Sequence, residues 1–156
     1  MNSAIERLLG LRVEDVMRPA VVTVAAHETM EAAARQLATH EITGAPVVEE
    51  SGRCVGVLSG SDYVDREAGF HPVDELVCKD TLHSPFEVQR LSSDRVEAHM
   101  SPTVQTISPK ATLMQAARVM CVEHIHRLVV LDDESRPVGI LSALDLVAAM
   151  VAAVEE

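Results

Sequence analysis

The chain has 156 residues, a formal net charge of -11 and only 2% aromatic residues. This length suits one compact domain or two small halves. The acidic balance argues against nucleic acid as a main partner, because phosphate backbones require a basic face. We expect no membrane span and no secretory leader, since the apolar runs are too short and no leader-type segment opens the chain.

The cysteines predict a reducing compartment. Cys54, Cys78 and Cys121 form no Cys-x-x-Cys pair. We therefore expect packed thiols in the cytoplasm rather than disulfides, and a packed Cys121 rather than a nucleophile. Four side chains that could suggest a metal site match no standard ligand spacing, so we predict no metal site and no required cofactor. These four are His71, Cys78, His83 and His99.

The first 68 residues predict a short helix followed by five elements. Ser3 to Glu6 resembles a capping box that opens a helix ending before Gly10. Hydrophobic pattern and turn residues predict the next elements. They are a strand at 20–24, a helix at 30–39 capped by Thr29, strands at 45–48 and 53–58 around a turn, and a helix starting near Ser61.

Residues 69–95 are predicted to form an irregular insertion. They contain Gly69, Pro72 and Pro85, with one or two helical turns expected at 73–78. A connection of this length is unusual in a compact domain and is typical of an interface or a lid.

The remaining residues repeat the earlier order. The predicted elements are a strand at 103–107, a helix capped by Thr112, strands at 127–131 and 138–141 around a turn, and a helix at 143–154.

The similarity of the two halves extends to the residues themselves. Gly56 to Asp62 recurs as Gly139 to Asp145, an offset of 83 residues that holds without a gap from Val13 to Val64. The sequence thus predicts an N-terminal helix at 1–12, repeats at 13–68 and 96–156, and the insertion at 69–95. We predict an α/β (α+β) fold in which two β-α-β-β-α units pack face to face as a pseudo-two-fold pair, because one unit alone would expose a sheet face.

Both repeats contain Gly-h-h-Ser-x-x-Asp, where h is apolar, at the end of a strand. The serine would lie where unpaired helix N–H groups attract anions, and the aspartate offers two acceptors to a ribose diol. One short segment could therefore hold phosphate and sugar. The alternative is a capping box in which both side chains bond only to the backbone.

A basic pair, His126-Arg127, comes directly before the apolar strand residues Leu128-Val129-Val130. Arginine can bind a phosphate through two N–H donors, and histidine can add a third. The alternative is a surface arginine paired with Glu123 or Asp132 beside a half-buried histidine. The first repeat has Thr43-Gly44 at these positions, so we expect two clefts of unequal affinity for a charged nucleotide.

Taken together, these motifs resemble a tandem pair of CBS (cystathionine-β-synthase-type) domains, the Bateman module. The second repeat is similar to the nucleotide-binding repeats of the AMP-activated protein kinase gamma subunit. Five sets of residues carry the resemblance. They are Val16-Met17-x-Pro19 with His99-Met100-x-Pro102, Thr23-Val24 with Thr106-Ile107, Ala45 to Val48 with Leu128 to Leu131, His126-Arg127, and both Gly-h-h-Ser-x-x-Asp segments.

The resemblance implies a cleft between the repeats that binds AMP, ADP, ATP or S-adenosylmethionine as a regulatory ligand. It implies ribose contacts for Asp62 and Asp145, phosphate or ribose contacts for Ser59 and Ser142, and phosphate contacts for His126 and Arg127. The same binding segments include Gly56 and Gly139. Adenine would be walled by backbone and side chains that include Val21, Thr23, Pro46, Val104 and Thr106.

We therefore expect a sensor module that is not an enzyme and signals by conformational change to an unidentified regulated protein. The alternative function is a structural dimerisation module with degenerate ligand sites. That alternative predicts a homodimer burying Leu144, Val147, Ala148 and Val151 of the last helix. A small enzyme would need His124 or His126 as its base, which is the less favoured interpretation.

Overall fold

The computed structural model describes residues 2–69 and 94–155. Within these ranges the chain forms seven helices and six strands. The helices are α1 (Asn2–Gly10), α2 (Val13–Val16), α3 (Met30–Thr39), α4 (Gly60–Glu67), α5 (Val96–His99), α6 (Leu113–Glu123) and α7 (Ala143–Glu155). The strands are β1 (Val24–Ala25), β2 (Gly44–Val48), β3 (Cys54–Ser59), β4 (Thr106–Ile107), β5 (Arg127–Leu131) and β6 (Pro137–Ser142).

The first sheet has the order β1-β2-β3, with β1 parallel to β2 and β2 antiparallel to β3. Helix α3 begins after Thr29, whose Oγ1 accepts a hydrogen bond from the Ala32 N–H at 3.2 Å. Its buried residues Met30, Ala33 and Leu37 follow helical spacing and form one apolar stripe. That stripe joins the β-strand side chains in a single core cluster.

The second sheet repeats this arrangement in the order β4-β5-β6. Thr112 and Gln115 form a capping box at the start of α6. The burial pattern along β6 is identical to that along β3, which shows that the copied sequence presents the same positions to its core. The prediction of an α/β fold built from two copies of one unit is confirmed.

The described residues pack as two compact units, each built around one sheet. The Asp145 unit contains residues up to Val21 and from Gln105 onward, and the Asp62 unit contains Val22–Val104. Each sheet therefore packs with the opening segment of the other sequence repeat, which is residues 13–21 in the first repeat and 96–104 in the second. The predicted repeat boundaries stay a prediction, since packing divides the chain at different positions.

Hydrogen bonds show how each opening segment is attached. In the Asp145 unit, Arg18 and Ile140 exchange main-chain N–H to carbonyl bonds of 2.9 and 3.0 Å. In the Asp62 unit, Ser101 and Val57 exchange two such bonds of 3.0 Å. The bridges are equivalent in the two copies, so the duplication includes this long-range pairing as well as the sheets.

Several local predictions were wrong. The strands predicted at 20–24 and 103–107 are only two residues long, because only Val24–Ala25 and Thr106–Ile107 have a partner strand. Helix α1 begins at Asn2, so its start lies before the predicted capping position Ser3. The single-turn helices α2 and α5 were missed because four residues are too few to show helical periodicity.

The thiols also differ from expectation. Cys121 is exposed on α6, so the prediction of a packed thiol was wrong there. Cys54 is half-buried, and this burial raises the pKa of its thiol despite a bond to the Gly56 carbonyl. The buried environment of Cys54 therefore disfavours a reactive thiolate there. Cys78, the helical turns expected at 73–78, and His71 and His83 lie outside the described residues.

Candidate ligand-binding sites

The Ser-x-x-Asp segments form hydrogen-bonded caps in both units. Asp145 Oδ2 accepts from the Ser142 N–H at 2.8 Å and the Ser142 hydroxyl at 2.6 Å. Asp145 N–H donates in return to Ser142 Oγ at 3.1 Å. Asp62 Oδ2 accepts the same two bonds from Ser59, at 2.6 and 3.0 Å. Both segments therefore form helix caps that use Oδ2 of each carboxylate, but each serine hydroxyl also bonds to its aspartate, so the side chains do not bond only to the backbone.

The second sheet places the basic pair beside the Ser142 cap. Arg127 is the register partner of Ser142 across β5 and β6, and the Ala143 N–H donates to the His126 carbonyl at 2.9 Å. Both basic residues are exposed. The half-buried histidine of the alternative interpretation is therefore wrong. Their position at the start of α7 lets their side chains act with the helix dipole on an anion.

The first sheet reproduces this backbone with uncharged residues. Gly44 is the register partner of Ser59, and the Gly60 N–H donates to the Thr43 carbonyl at 3.0 Å. The two units thus share a scaffold and differ in charge at the same positions. This difference supports the expectation of unequal affinity for a phosphorylated ligand.

Arg18 joins the Asp145 site, although motif reasoning did not select it. Its Nε donates to Asp145 Oδ1 at 3.3 Å, and the Arg18 side chain is 71% exposed while that of Asp145 is 13% exposed. The equivalent residue of the second repeat is Ser101. The sequence signal for Arg18 is this difference between the two Met-x-Pro segments, which a position-by-position comparison would have found.

The Asp62 unit carries a different base. His99 is buried, and its Nε2 lies 3.9 Å from Asp94 Oδ1, which also receives Arg66 Nε at 2.8 Å. His99 also interacts electrostatically with the buried Asp62. A titratable histidine therefore lies near one carboxylate, whereas a permanently charged arginine binds the other. The described residues contain no group of three or more potential metal ligands.

The two carboxylates have opposite pKa shifts. Desolvation raises the pKa of Asp62 above 3.8, and the hydrogen bonds from Ser59 only partly offset it. Partial burial also acts to raise the pKa of Asp145, but the bonds from Ser142 and the Arg18 charge outweigh it and lower the pKa below 3.8. Asp145 is therefore fully ionised at neutral pH and able to accept hydroxyl hydrogen bonds.

We expect carbon-detected NMR titration to show Asp62 protonating at higher pH than Asp145. The contribution of Asp62 to stability is present below its unfolded pKa and is lost as pH rises through its raised folded value. That of Asp145 is present above its unfolded pKa and is lost as pH falls through its lowered folded value. Arg18→Ser should raise the pKa of Asp145 and leave that of Asp62 unchanged. The reverse order of titration would contradict this account.

Close packing explains why glycine occupies the equivalent positions 56 and 139. A Cβ on Gly139 would lie 2.3 Å from Met17 Sδ, and a Cβ on Gly56 would lie 2.6 Å from Met100 Sδ and 2.8 Å from the Ser101 carbonyl oxygen. Such distances are far inside van der Waals contact. Each glycine therefore admits the opening segment of the other repeat. Ligand contacts at Gly56 and Gly139 stay a prediction.

The other predicted ligand residues are divided between the units. Thr106 lies on β4 of the Asp145 unit, opposite Val129, and is exposed. Pro46 is buried on β2 of the Asp62 unit opposite Val57. Three half-buried residues lie close to the ends of the units: Val21 in the Asp145 unit, and Thr23 and Val104 in the Asp62 unit. Their contacts with adenine stay a prediction.

The fold and the paired caps define a tandem-repeat α/β protein with one candidate ligand site per sheet. Residues 13–69 and 96–152 each match the CBS domain, so the chain belongs to the CBS domain family. No helix in the described ranges has the length and apolarity to cross a membrane.

Relatives and solved structures extend this finding. An uncharacterized protein of Methanocaldococcus jannaschii is 28% identical over 153 residues, covering 89% of this chain and 90% of its own. The crystal structure of CBSX2 in complex with AMP has a TM-score of 0.74 at 23% identity, covering 94% of this chain and 100% of its own. The CBS domain pair of protein MJ0100, in complex with 5′-methylthioadenosine and S-adenosylmethionine, has a TM-score of 0.68 at 22% identity, covering 91% and 97%.

Some relatives are much longer than this chain. The match spans 23% of inosine-5′-monophosphate dehydrogenase of Methanocaldococcus jannaschii at 23% identity. It spans 27% of homoserine O-acetyltransferase of Methanohalophilus mahii at 31% identity. The segment that resembles this chain therefore occurs within proteins named for unrelated reactions.

Proposed function

We propose that this protein is a regulatory sensor that binds an adenosine-containing ligand at the Ser142–Asp145 cap and transmits the binding to a partner protein. One observation carries this proposal: an ionised carboxylate, a helix N-terminus and basic residues from two separate segments lie together in the Asp145 unit. The complexes of CBSX2 with AMP, and of the MJ0100 pair with 5′-methylthioadenosine and S-adenosylmethionine, support adenosine as the common ligand group.

Each side chain has a specific task in this proposal. Asp145 accepts hydrogen bonds from the ribose 2′- and 3′-hydroxyls, and Ser142 holds the carboxylate in place. Arg127 donates to phosphate oxygens as a planar fork, with His126 beside it. The α7 N-terminus adds a favourable potential for the anion. The Asp62 unit offers the same ribose acceptor but has Thr43-Gly44 in place of the basic pair, so we expect weaker binding of phosphorylated ligands there.

The comparisons also support a role other than catalysis. Similar segments make up about a quarter of two enzymes with unrelated reactions, so neither reaction is a property of the shared segment. We propose that AMP, ADP, ATP or S-adenosylmethionine acts as a regulatory ligand and that no cofactor is required. A regulated partner protein and cytoplasmic localisation stay predictions.

Thermal denaturation and calorimetry with AMP, ADP, ATP and S-adenosylmethionine test the proposal. A ligand at a hundred times its dissociation constant stabilises the folded state by about 2.7 kcal/mol, which raises the melting temperature by several degrees. We expect such a shift at millimolar concentration for at least one of the four. Absence of stabilisation by all four would contradict the proposed function, whereas turnover of a nucleotide would favour the enzyme hypothesis.

Dimerisation is a second candidate function, favoured by the surface of α7. Leu144, Val147 and Val151 are 69%, 52% and 49% exposed, an unusual amount of apolar surface for one helix. We propose that a second copy of the chain covers these residues in a homodimer. Light scattering at micromolar concentration should give the dimer mass, and Val147→Glu should give the monomer. A monomeric wild type would contradict this proposal.

A further inference from the structure

The segment that carries Arg18 is anchored next to the Asp145 cap at three points. Its main chain exchanges two hydrogen bonds with Ile140, two residues before Ser142. The preceding residue, Met17, lies against the bare Cα of Gly139. The exposed guanidinium then bonds to Asp145 Oδ1 through Nε, and its two terminal nitrogens are outside that contact. The backbone position is therefore defined even though the side chain reaches into solvent.

We infer that Arg18 determines the ligand class of the Asp145 site by selecting adenosine ligands with an anionic 5′ group over uncharged or cationic ones. The inference rests on the proposed function and adds to it. Asp145 serves the ribose, but its negative charge repels a phosphate on the same nucleoside. Arg18 cancels that charge at a distance of 3.3 Å and leaves the site favourable for an anion.

Coulomb's law gives the size of the effect. A doubly charged phosphate about 7 Å from an uncompensated carboxylate, at an effective dielectric constant of about 70, loses roughly tenfold in affinity. A ligand with an uncharged 5′ group loses no affinity by this mechanism. Arg18 therefore changes the ratio of the affinities for ligands with charged and uncharged 5′ groups, which a purely structural role would not do.

The Asp62 unit shows what the same backbone looks like without the arginine. Ser101 makes the equivalent pair of main-chain bonds to Val57. Serine is therefore compatible with the fold at this position, and Arg18→Ser gives the Asp145 unit the residue that the other copy has there. The Asp62 unit, which lacks arginine at this position and the basic pair, should discriminate poorly between charged and uncharged adenosine ligands.

Calorimetry with AMP and 5′-methylthioadenosine tests the inference, because these ligands share adenine and ribose and differ at the 5′ group. All proteins carry Asp62→Asn to weaken the second candidate site. We expect Arg18→Ser to lower the affinity for AMP about tenfold and to change the affinity for 5′-methylthioadenosine by less than about threefold. Arg18→Lys should keep most of the preference for AMP. Arg35→Ser is the control: it removes an exposed arginine paired with Glu31 and should leave the affinity for both ligands unchanged.

The outcomes separate the two proposals. A loss of AMP preference in Arg18→Ser with retention in Arg18→Lys supports the inference. An equal loss of affinity for both ligands would overturn the inference, since Arg18 would then only orient Asp145. Tighter binding of AMP would also overturn it, since Arg18 would then obstruct Asp145. If the Asp62→Asn protein that retains Arg18 binds neither ligand, the inference is overturned, whereas the proposed function fails only if AMP, ADP, ATP and S-adenosylmethionine all fail to stabilise the chain.

Discussion

Replacing Gly56 by alanine is expected to lower the free energy of unfolding by about 3 kcal/mol. The new methyl group would lie 2.8 Å from the Ser101 carbonyl oxygen and 2.6 Å from Met100 Sδ. Ser101 cannot move away without breaking its two 3.0 Å bonds to Val57. Urea denaturation followed by circular dichroism measures the change. Gly60→Ala is the matched control, because its new Cβ meets nothing closer than the Thr43 carbonyl oxygen at 4.0 Å.

A double-mutant cycle in the other unit makes the test specific. In Gly139→Ala the severe contacts are with the side chain of Met17, at 2.3 and 3.0 Å, while the Arg18 carbonyl lies at 3.2 Å. Met17→Ala should therefore relieve much of the cost, giving a favourable coupling of about 1–2 kcal/mol. Met100→Ala should not rescue Gly56→Ala to the same extent, since the backbone contact remains. Equal stability of Gly56→Ala and Gly60→Ala would contradict the close packing of the opening segment.

Asp145→Asn is expected to reduce the affinity for 5′-methylthioadenosine about thirtyfold. Hydrogen bonds to a charged acceptor contribute about 1.5–3 kcal/mol, and the substitution removes the charge and one acceptor oxygen. This ligand has the ribose diol without a phosphate, so the measurement reports the ribose contact alone. The asparagine oxygen can still accept from the Ser142 N–H, so α7 should stay capped and stability should fall by less than about 1 kcal/mol.

Asp133→Asn, an exposed acidic residue of the same unit, is the control and should leave the affinity unchanged. Isothermal titration calorimetry gives the dissociation constants, and thermal denaturation confirms that each variant folds. Unchanged ligand affinity in Asp145→Asn would mean that the carboxylate only caps α7. The ribose contact would then have to be assigned to another residue.

Local sequence signals predicted much of the fold because the relevant contacts are close in the chain. Thr29 and the apolar spacing that follows it predicted α3 at Met30–Thr39 to the residue, since an N-cap and its helix lie within a few positions. The predicted bounds of the strand at Arg127–Leu131 were equally accurate. The short strands β1 and β4 were less accurate, because their length depends on where a distant partner strand ends.

The candidate sites show the same division. The sequence by itself determined that there are two copies, that each has a Ser-x-x-Asp segment after its third strand, and that only the second copy has a basic pair. Only the tertiary structure decided which opening segment packs against which sheet. It brought Arg18 to Asp145, 127 residues away in the chain, and His99 close to Asp62. No local periodicity encodes these pairings, because they arise from main-chain bonds and glycine contacts between distant segments that form only when each unit folds.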